Sequence, residues 1–184
     1  MRATGTPVYR LTENCIWNSF RSSGKRHLLL TGGRGSGKST LLSRLLKRLS
    51  PVGPVPGIRS WAEPGRAVYI RENISGETVQ VGRFDPSMPG KENRMRPLPD
   101  GFQKAGVQIL DSLMRLEGEW VAIDEIGYLE SGCPEYCGAV RRLMAQKRLA
   151  AAVRSQALPF LNELRSRPDV FLVNLDGPFA NLGC

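Results

Sequence analysis

Gly32-Gly33-Arg34-Gly35-Ser36-Gly37-Lys38-Ser39 fits the pattern G-x-x-x-x-G-K-[ST], a glycine-rich loop whose backbone can curl so that consecutive N–H groups face phosphate oxygens. Its flanks fit the same reading. Residues 27–31 are a short apolar run that predicts a strand, and residues 38–49 place Leu41, Leu42, Leu45, Leu46 and Leu49 at helical spacing, with Arg44, Lys47 and Arg48 on the other side. Strand, glycine loop and amphipathic helix is the order in which a helix N-terminus adds its positive dipole end to the loop amides. The backbone of Gly32, Gly33, Arg34, Gly35, Ser36 and Gly37 is therefore expected to cradle phosphates. Lys38 is expected to reach the β- and γ-phosphates, Ser39 to offer its hydroxyl to Mg²⁺, and Thr40 to touch the α-phosphate.

A second signal lies downstream. Trp120-Val121-Ala122-Ile123 is a continuous apolar run that delivers Asp124 and Glu125 to its C-terminal end, where open parallel sheets bind their ligands. Two adjacent carboxylates there call for a cation. Asp124 is assigned to the Mg²⁺ shell together with Ser39. Glu125, expected to point elsewhere because side chains alternate along a strand, is assigned to orienting or deprotonating an attacking water. Arg154 follows a strand predicted over 149–153 and is the arginine best placed to meet γ-phosphate charge. Arg34, inside the loop, and Arg59, Arg71 and Arg83, bordering a predicted hairpin, are weaker candidates.

The remaining pattern sets the architecture. Helices are predicted over 105–116, 134–148 and 157–167, with a closing strand over 170–173, and this alternation argues for a parallel sheet between helical layers. Residues 67–70 and 78–81 flank the turn-forming 73–76 and predict an added antiparallel hairpin. Residues 83–104 mix Arg83, Lys91, Arg94, Arg96 and Lys104 with four prolines and read as a long basic loop without regular structure. The first 25 residues lack steady periodicity and are assigned to an N-terminal extension, leaving 26–184 as one domain. The fold expected is a three-layer α/β/α phosphate-loop domain with a mostly parallel sheet and an added hairpin.

Composition narrows the function classes. The 184 residues, 41% hydrophobic and 23% charged, suit a globular chain long enough to bury a core without metal or disulfide support. No apolar run approaches the length of a membrane span, and no leader is evident, so a cytoplasmic protein is expected. The net charge of +9 favours phosphate-bearing partners, a nucleotide or a nucleic acid. Cys15, Cys133, Cys137 and Cys184 are scattered and read as free thiols, and a single histidine argues against a zinc centre.

Three segments carry a resemblance to a known family: Thr31-Gly32-Gly33-Arg34-Gly35-Ser36-Gly37-Lys38-Ser39-Thr40, Ile123-Asp124-Glu125-Ile126-Gly127-Tyr128-Leu129-Glu130, and the stretch beginning Leu158-Pro159-Phe160. On these the chain resembles the THEP-type, or cancer-related, nucleoside-triphosphatases from about residue 27 to 175. The resemblance implies a RecA-like phosphate-loop domain that hydrolyses ATP, GTP and other nucleoside triphosphates with Mg²⁺. The chain departs from that pattern at Arg154, where the family often has histidine, and over 57–63, which matches only distantly. Two other readings stay open. One is a nucleotide or small-molecule kinase closing the basic segment 83–104 as a lid. The other is a nucleotide-switched module binding nucleic acid through the +9 surface, although no RRM, KH or zinc-finger signature supports it. The [NT]-K-x-D pattern that reads guanine in small G proteins is absent.

Overall fold

The computed structural model describes residues 12–50, 53–89 and 94–177. Its elements, in chain order, are α1 (Glu13–Ser22), β1 (His27–Gly32), α2 (Lys38–Leu49), β2 (Gly57–Glu63), β3 (Ala67–Glu72), β4 (Thr78–Phe84) and β5 (Met95–Pro97). A π-helical turn (Gly101–Gly106) then runs into α3 (Val107–Arg115). After it come β6 (Trp120–Ile126), α4 (Tyr128–Ser131), α5 (Pro134–Gln146), β7 (Arg148–Arg154), α6 (Pro159–Ser166) and β8 (Val170–Asn174).

The apolar runs read as doubly covered strands sit together in the sheet, whose order is β5-β4-β3-β2-β6-β7-β1-β8. Pairing is parallel from β2 through β8 and antiparallel among β2, β3, β4 and β5. The division follows the connections, since parallel neighbours need a crossover helix while β2, β3 and β4 are joined by short turns. The three-layer, mostly parallel fold is as expected. The predicted hairpin is β3 with β4, and it belongs to a larger antiparallel extension that β2 and β5 complete.

Side-chain alternation divides the core. On one face Ile58, Ile70, Val81, Ile123, Val153 and their neighbours pack with Phe102, Leu110, Leu113, Tyr136, Val140 and Leu161 from the π-helical turn, α3, α5 and α6. On the other, Leu28, Leu30, Ala150, Ala152 and Val173 pack with Leu42 and Leu45 of α2 and with Ile16 and Phe20 of α1. Helix α1 was not predicted. Thr12 caps it by accepting from the Cys15 N–H at 3.3 Å. Phe20 meets Trp120 and Phe171 edge-on, each at 5.8 Å between ring centroids. Burial of Ile16 and Phe20 stabilises the fold by roughly 2 kcal/mol each, so part of the N-terminal segment is built into the core.

The basic segment also differs from its reading as irregular loop. Its described parts hold the end of β4, the strand β5 and the π-helical turn, and Gly101 packs so closely on Val81 that a Cβ there would lie 2.7 Å from Val81 Cα. Two of its cations are already paired, Arg96 with Asp85 at 2.8 Å and Lys104 with Asp100 at 2.6 Å. Lys91 lies outside the described residues. Among the thiols, Cys133 and Cys137 are free and buried, whereas Cys15 is disulfide-bonded, against expectation; Cys184 lies outside the described residues. No helix of the described residues is long and apolar enough to cross a membrane.

Candidate active site

The phosphate loop connects the end of β1 to the start of α2. Gly32 has φ 152°, and a side chain there would meet Ser36 Oγ at 2.7 Å, so the close turn is open only to glycine. Gly37, at φ 88°, occupies the N-cap of α2 and turns the chain into the helix. Lys38 follows and folds back over the loop. Its Nζ donates to the carbonyl oxygens of Gly32 (2.8 Å) and Gly33 (2.7 Å) and to Ser36 Oγ (3.3 Å). Burial lowers the Lys38 pKa, while Glu125, Asp176 and Asp124 pull the other way. The ammonium is thus held at the loop by acceptors that a phosphate can replace. Arg34, Gly35 and Thr40 are exposed on the same loop and first turn.

Ser39 and Asp124 meet although 85 residues separate them. The Ser39 hydroxyl donates to Asp124 Oδ1 at 2.7 Å, joining the first turn of α2 to the end of β6. Burial raises the Asp124 pKa, opposed by the hydrogen bond from Ser39 and by the charge of Arg59, its register partner on β2. A hydroxyl and a carboxylate, both oxygen donors, suit Mg²⁺, which typically takes one or two protein ligands and completes its shell with water and phosphate oxygens. No cluster of three His, Cys, Asp or Glu side chains suited to a metal occurs among the described residues.

Glu125 does not follow simple alternation. The pairing of β6 with β7 slips between Asp124 and Ile126, so Glu125 is a bulge residue, and its φ is 91°. No other non-glycine among the described residues has positive φ, a conformation that costs about 1–3 kcal/mol. The bulge turns the carboxylate toward β7, where Arg154 Nε donates to Glu125 Oε1 at 2.6 Å and Arg154 Nη2 reaches the same oxygen. Arg154 is held in turn. Arg165 of α6 donates to its carbonyl and to that of Gln156 at 2.9 Å, and Gly127 leaves room beneath it, since a Cβ at 127 would lie 3.1 Å from Arg154 Cδ.

Three further residues border the site without having been singled out in the sequence for a role. Glu130 is buried and accepts from the Gly127 N–H at 2.9 Å, and burial pushes its pKa up to about 7. Asp176, just after β8, accepts from the Gly33 N–H of the phosphate loop at 2.5 Å. Arg165 fixes the backbone that carries Arg154. The parallel pairing of β8 with β1 was the available signal for Asp176, because it sets the turn after β8 beside the loop. Glu130 had none beyond its place in the second family-like segment.

Comparisons with known proteins bear on the family and the fold. A family model described as NTPase matches residues 27–178. Among solved structures, THEP1 from the hyperthermophile Aquifex aeolicus superposes with a TM-score of 0.64 at 20% identity, covering 81% of this chain and 89% of that one. A human cancer-related nucleoside triphosphatase gives a TM-score of 0.62 at 23% identity, covering 81% and 88%. No curated protein matches the sequence.

Proposed function

The chain belongs to this NTPase family, the THEP-type nucleoside-triphosphatases that its sequence resembles, and on that premise we propose that it hydrolyses ATP, GTP and related nucleoside triphosphates to the diphosphate and phosphate in an Mg²⁺-dependent reaction. The observation that carries the reading is the 2.7 Å contact of Asp124 with Ser39, the residue immediately after the buried Lys38 in the chain. It gathers a phosphate-binding ammonium and two hard oxygen donors at the C-terminal edge of a parallel sheet.

Mg²⁺ held by Ser39 and Asp124 would neutralise charge on the terminal phosphate oxygens. The protein's own groups supply the rest. The loop amides and the start of α2 bind the phosphates, and Lys38 exchanges the carbonyls of Gly32 and Gly33 for phosphate oxygens. Both arginine contacts of Glu125 fall on Oε1, which leaves Oε2 to orient a water for in-line attack on the γ-phosphorus and to accept its proton. Arg154 holds the Glu125 carboxylate and brings a positive charge to the side of the γ-phosphate from which the water attacks, where it can meet charge on the phosphoryl oxygens as the diphosphate leaves from the opposite side.

The test is phosphate release from ATP, GTP, CTP and UTP, with and without Mg²⁺ and with no acceptor, for wild type, Lys38→Ala and Glu125→Gln. Turnover by wild type that is lost in both variants supports the assignment. Equal turnover by Glu125→Gln removes Glu125 from it, and turnover only when an acceptor nucleotide is added makes the protein a kinase.

A further inference from the structure

One surface next to the site has no part in the reaction above. In β2 and β3, Arg59 lies directly opposite Arg71 and Trp61 directly opposite Tyr69. Register continues the row into β4, where Thr78 and Gln80 face Arg71 and Tyr69 and Arg83 faces Ala67. It then reaches β5, where Arg96 faces Arg83. These residues share one face of the sheet, because Ile58, Val68, Ile70 and Val81 between them are buried on the other.

The face is on the same side as α2. Arg59 pairs in register with Asp124, whose carboxylate meets Ser39 of that helix. Helix α2 packs on β1, β6 and β7, and beyond it Arg59, Arg71, Gln80, Arg83 and Arg96 are all exposed.

Two features of this face call for a ligand. First, like charges directly opposite on adjacent strands destabilise a sheet, and here two such pairs occur, Arg59 with Arg71 and Arg83 with Arg96. Asp85 offsets Arg96 at 2.8 Å, but none of the ion pairs among the described residues involves Arg59, Arg71 or Arg83. Second, Trp61 is 37% exposed and stacks on Tyr69 with ring centroids 5.5 Å apart and planes 20° from parallel. Exposed stacked aromatics between arginines on an open sheet offer π-faces to bases and cations to a phosphate backbone. Duplex would engage the arginines but could not lay its paired, stacked bases on Trp61.

We propose that the uncovered face of β2, β3 and β4 binds single-stranded nucleic acid, with Trp61 and Tyr69 stacking on bases and Arg59, Arg71 and Arg83 contacting the backbone. The strand would run beside the nucleotide site, since Arg59 borders Asp124. The binding itself does not depend on NTP hydrolysis.

The experiment is fluorescence anisotropy of labelled oligothymidylate and oligouridylate of about 16 nucleotides, titrated with full-length protein at salt from about 50 to about 200 mM. The proteins are wild type, Arg71→Glu, Arg83→Gln, Trp61→Ala and Trp61→Phe, with unlabelled duplex and heparin as competitors. Thermal unfolding and circular dichroism confirm that each variant is folded. Wild type is expected to bind with a log–log salt slope of about −2, as three backbone contacts on a single strand require. Arg71→Glu and Trp61→Ala are expected to weaken binding about tenfold or more while Trp61→Phe keeps it, and oligonucleotide should quench a tryptophan signal that Trp61→Phe loses. Absence of binding by wild type overturns the proposal. So does equal binding by folded Arg71→Glu and Trp61→Ala, or competition by heparin or duplex as strong as by single strand, which would mark a general polyanion surface.

Discussion

The carboxylate of Asp176 sits 2.5 Å from the backbone nitrogen of Gly33, on one of the loop amides that a phosphate group would seek. An acidic side chain there competes with the ligand for a donor and repels its charge. Asp176→Asn keeps an oxygen acceptor for the Gly33 N–H and removes the charge. Nucleoside triphosphate is expected to bind the variant roughly fivefold more tightly, the modest size following from the exposure of Asp176. Calorimetric titration with a non-hydrolysable analogue checks this. Unchanged or weaker affinity would mean that the carboxylate holds the loop in its binding shape instead of competing for it.

The bulge at Glu125 separates a residue's chemistry from its cost to the fold. Replacing Glu125 by Ala or by Gly removes the carboxylate and its contact with Arg154 in both cases, but only glycine relieves the φ of 91°. Both variants are expected to lose about a hundredfold or more in turnover. Glu125→Gly is nevertheless expected to be more stable than Glu125→Ala by about 1 kcal/mol in denaturant unfolding. Equal stability would mean that the backbone there carries no strain.

How much of this was legible beforehand depends on the range of the physics involved. The glycine loop, the Leu stripe of α2 and the apolar run ending in Asp124 are local patterns, and each leads directly to its element. Helix α1 is amphipathic, but its buried stripe is only Ile16 and Phe20, and what those side chains dock against, Trp120 and Phe171, lies far along the chain. The bulge was hidden for a related reason: Trp120 to Ile126 reads as a uniform strand, and the slip exists only in its pairing with β7. The prolines of 83–104 suggested a loop without regular structure, but the end of β4, a three-residue edge strand and a π-helical turn that runs into α3 fit among them. Arg154 was found by its position after a strand; its hold on Glu125 was not, since that required the bulge.

Glu130 carries a pH dependence of known sign. Its ordinary pKa of 4.5 is raised to about 7 by burial, so the folded protein holds a proton that the unfolded chain has released between those values. This contribution to stability is fully present below about pH 4.5 and is lost as pH rises toward 7, on the order of 3 kcal/mol in total. Glu130→Gln keeps an acceptor for the Gly127 N–H and cannot ionise. Its stability relative to wild type should therefore rise between pH 5 and 7, measured by urea unfolding at each pH; a constant difference across that range would place an ionised Glu130 in the folded state.

His27 should give the opposite slope, and because the chain has one histidine its titration can be followed without ambiguity. The ring is buried at the start of β1. Its Nδ1 accepts from the Leu149 N–H at 3.0 Å, so that nitrogen carries no proton and protonating it breaks a bond between β1 and β7. Burial lowers the pKa to about 4, with Arg167 and Arg26 acting in the same direction. Asp169, whose Oδ2 lies 3.3 Å from Nε2, opposes it. Since the folded pKa lies below the ordinary 6.5, stability is fully present above 6.5 and is lost as pH falls toward 4. Imidazole resonances in a pH titration should move with a midpoint near 4, and Asp169→Asn should lower it further by removing the carboxylate that attracts the imidazolium. A midpoint at or above 6.5 would mean that the Asp169 pair outweighs burial, and Asp169→Asn would then lower the midpoint from that higher value. The difference in stability between Glu130→Gln and the double variant Glu130→Gln/His27→Gln, followed from pH 4 to 6.5, isolates the slope of His27, because the other shifted carboxylates are common to both.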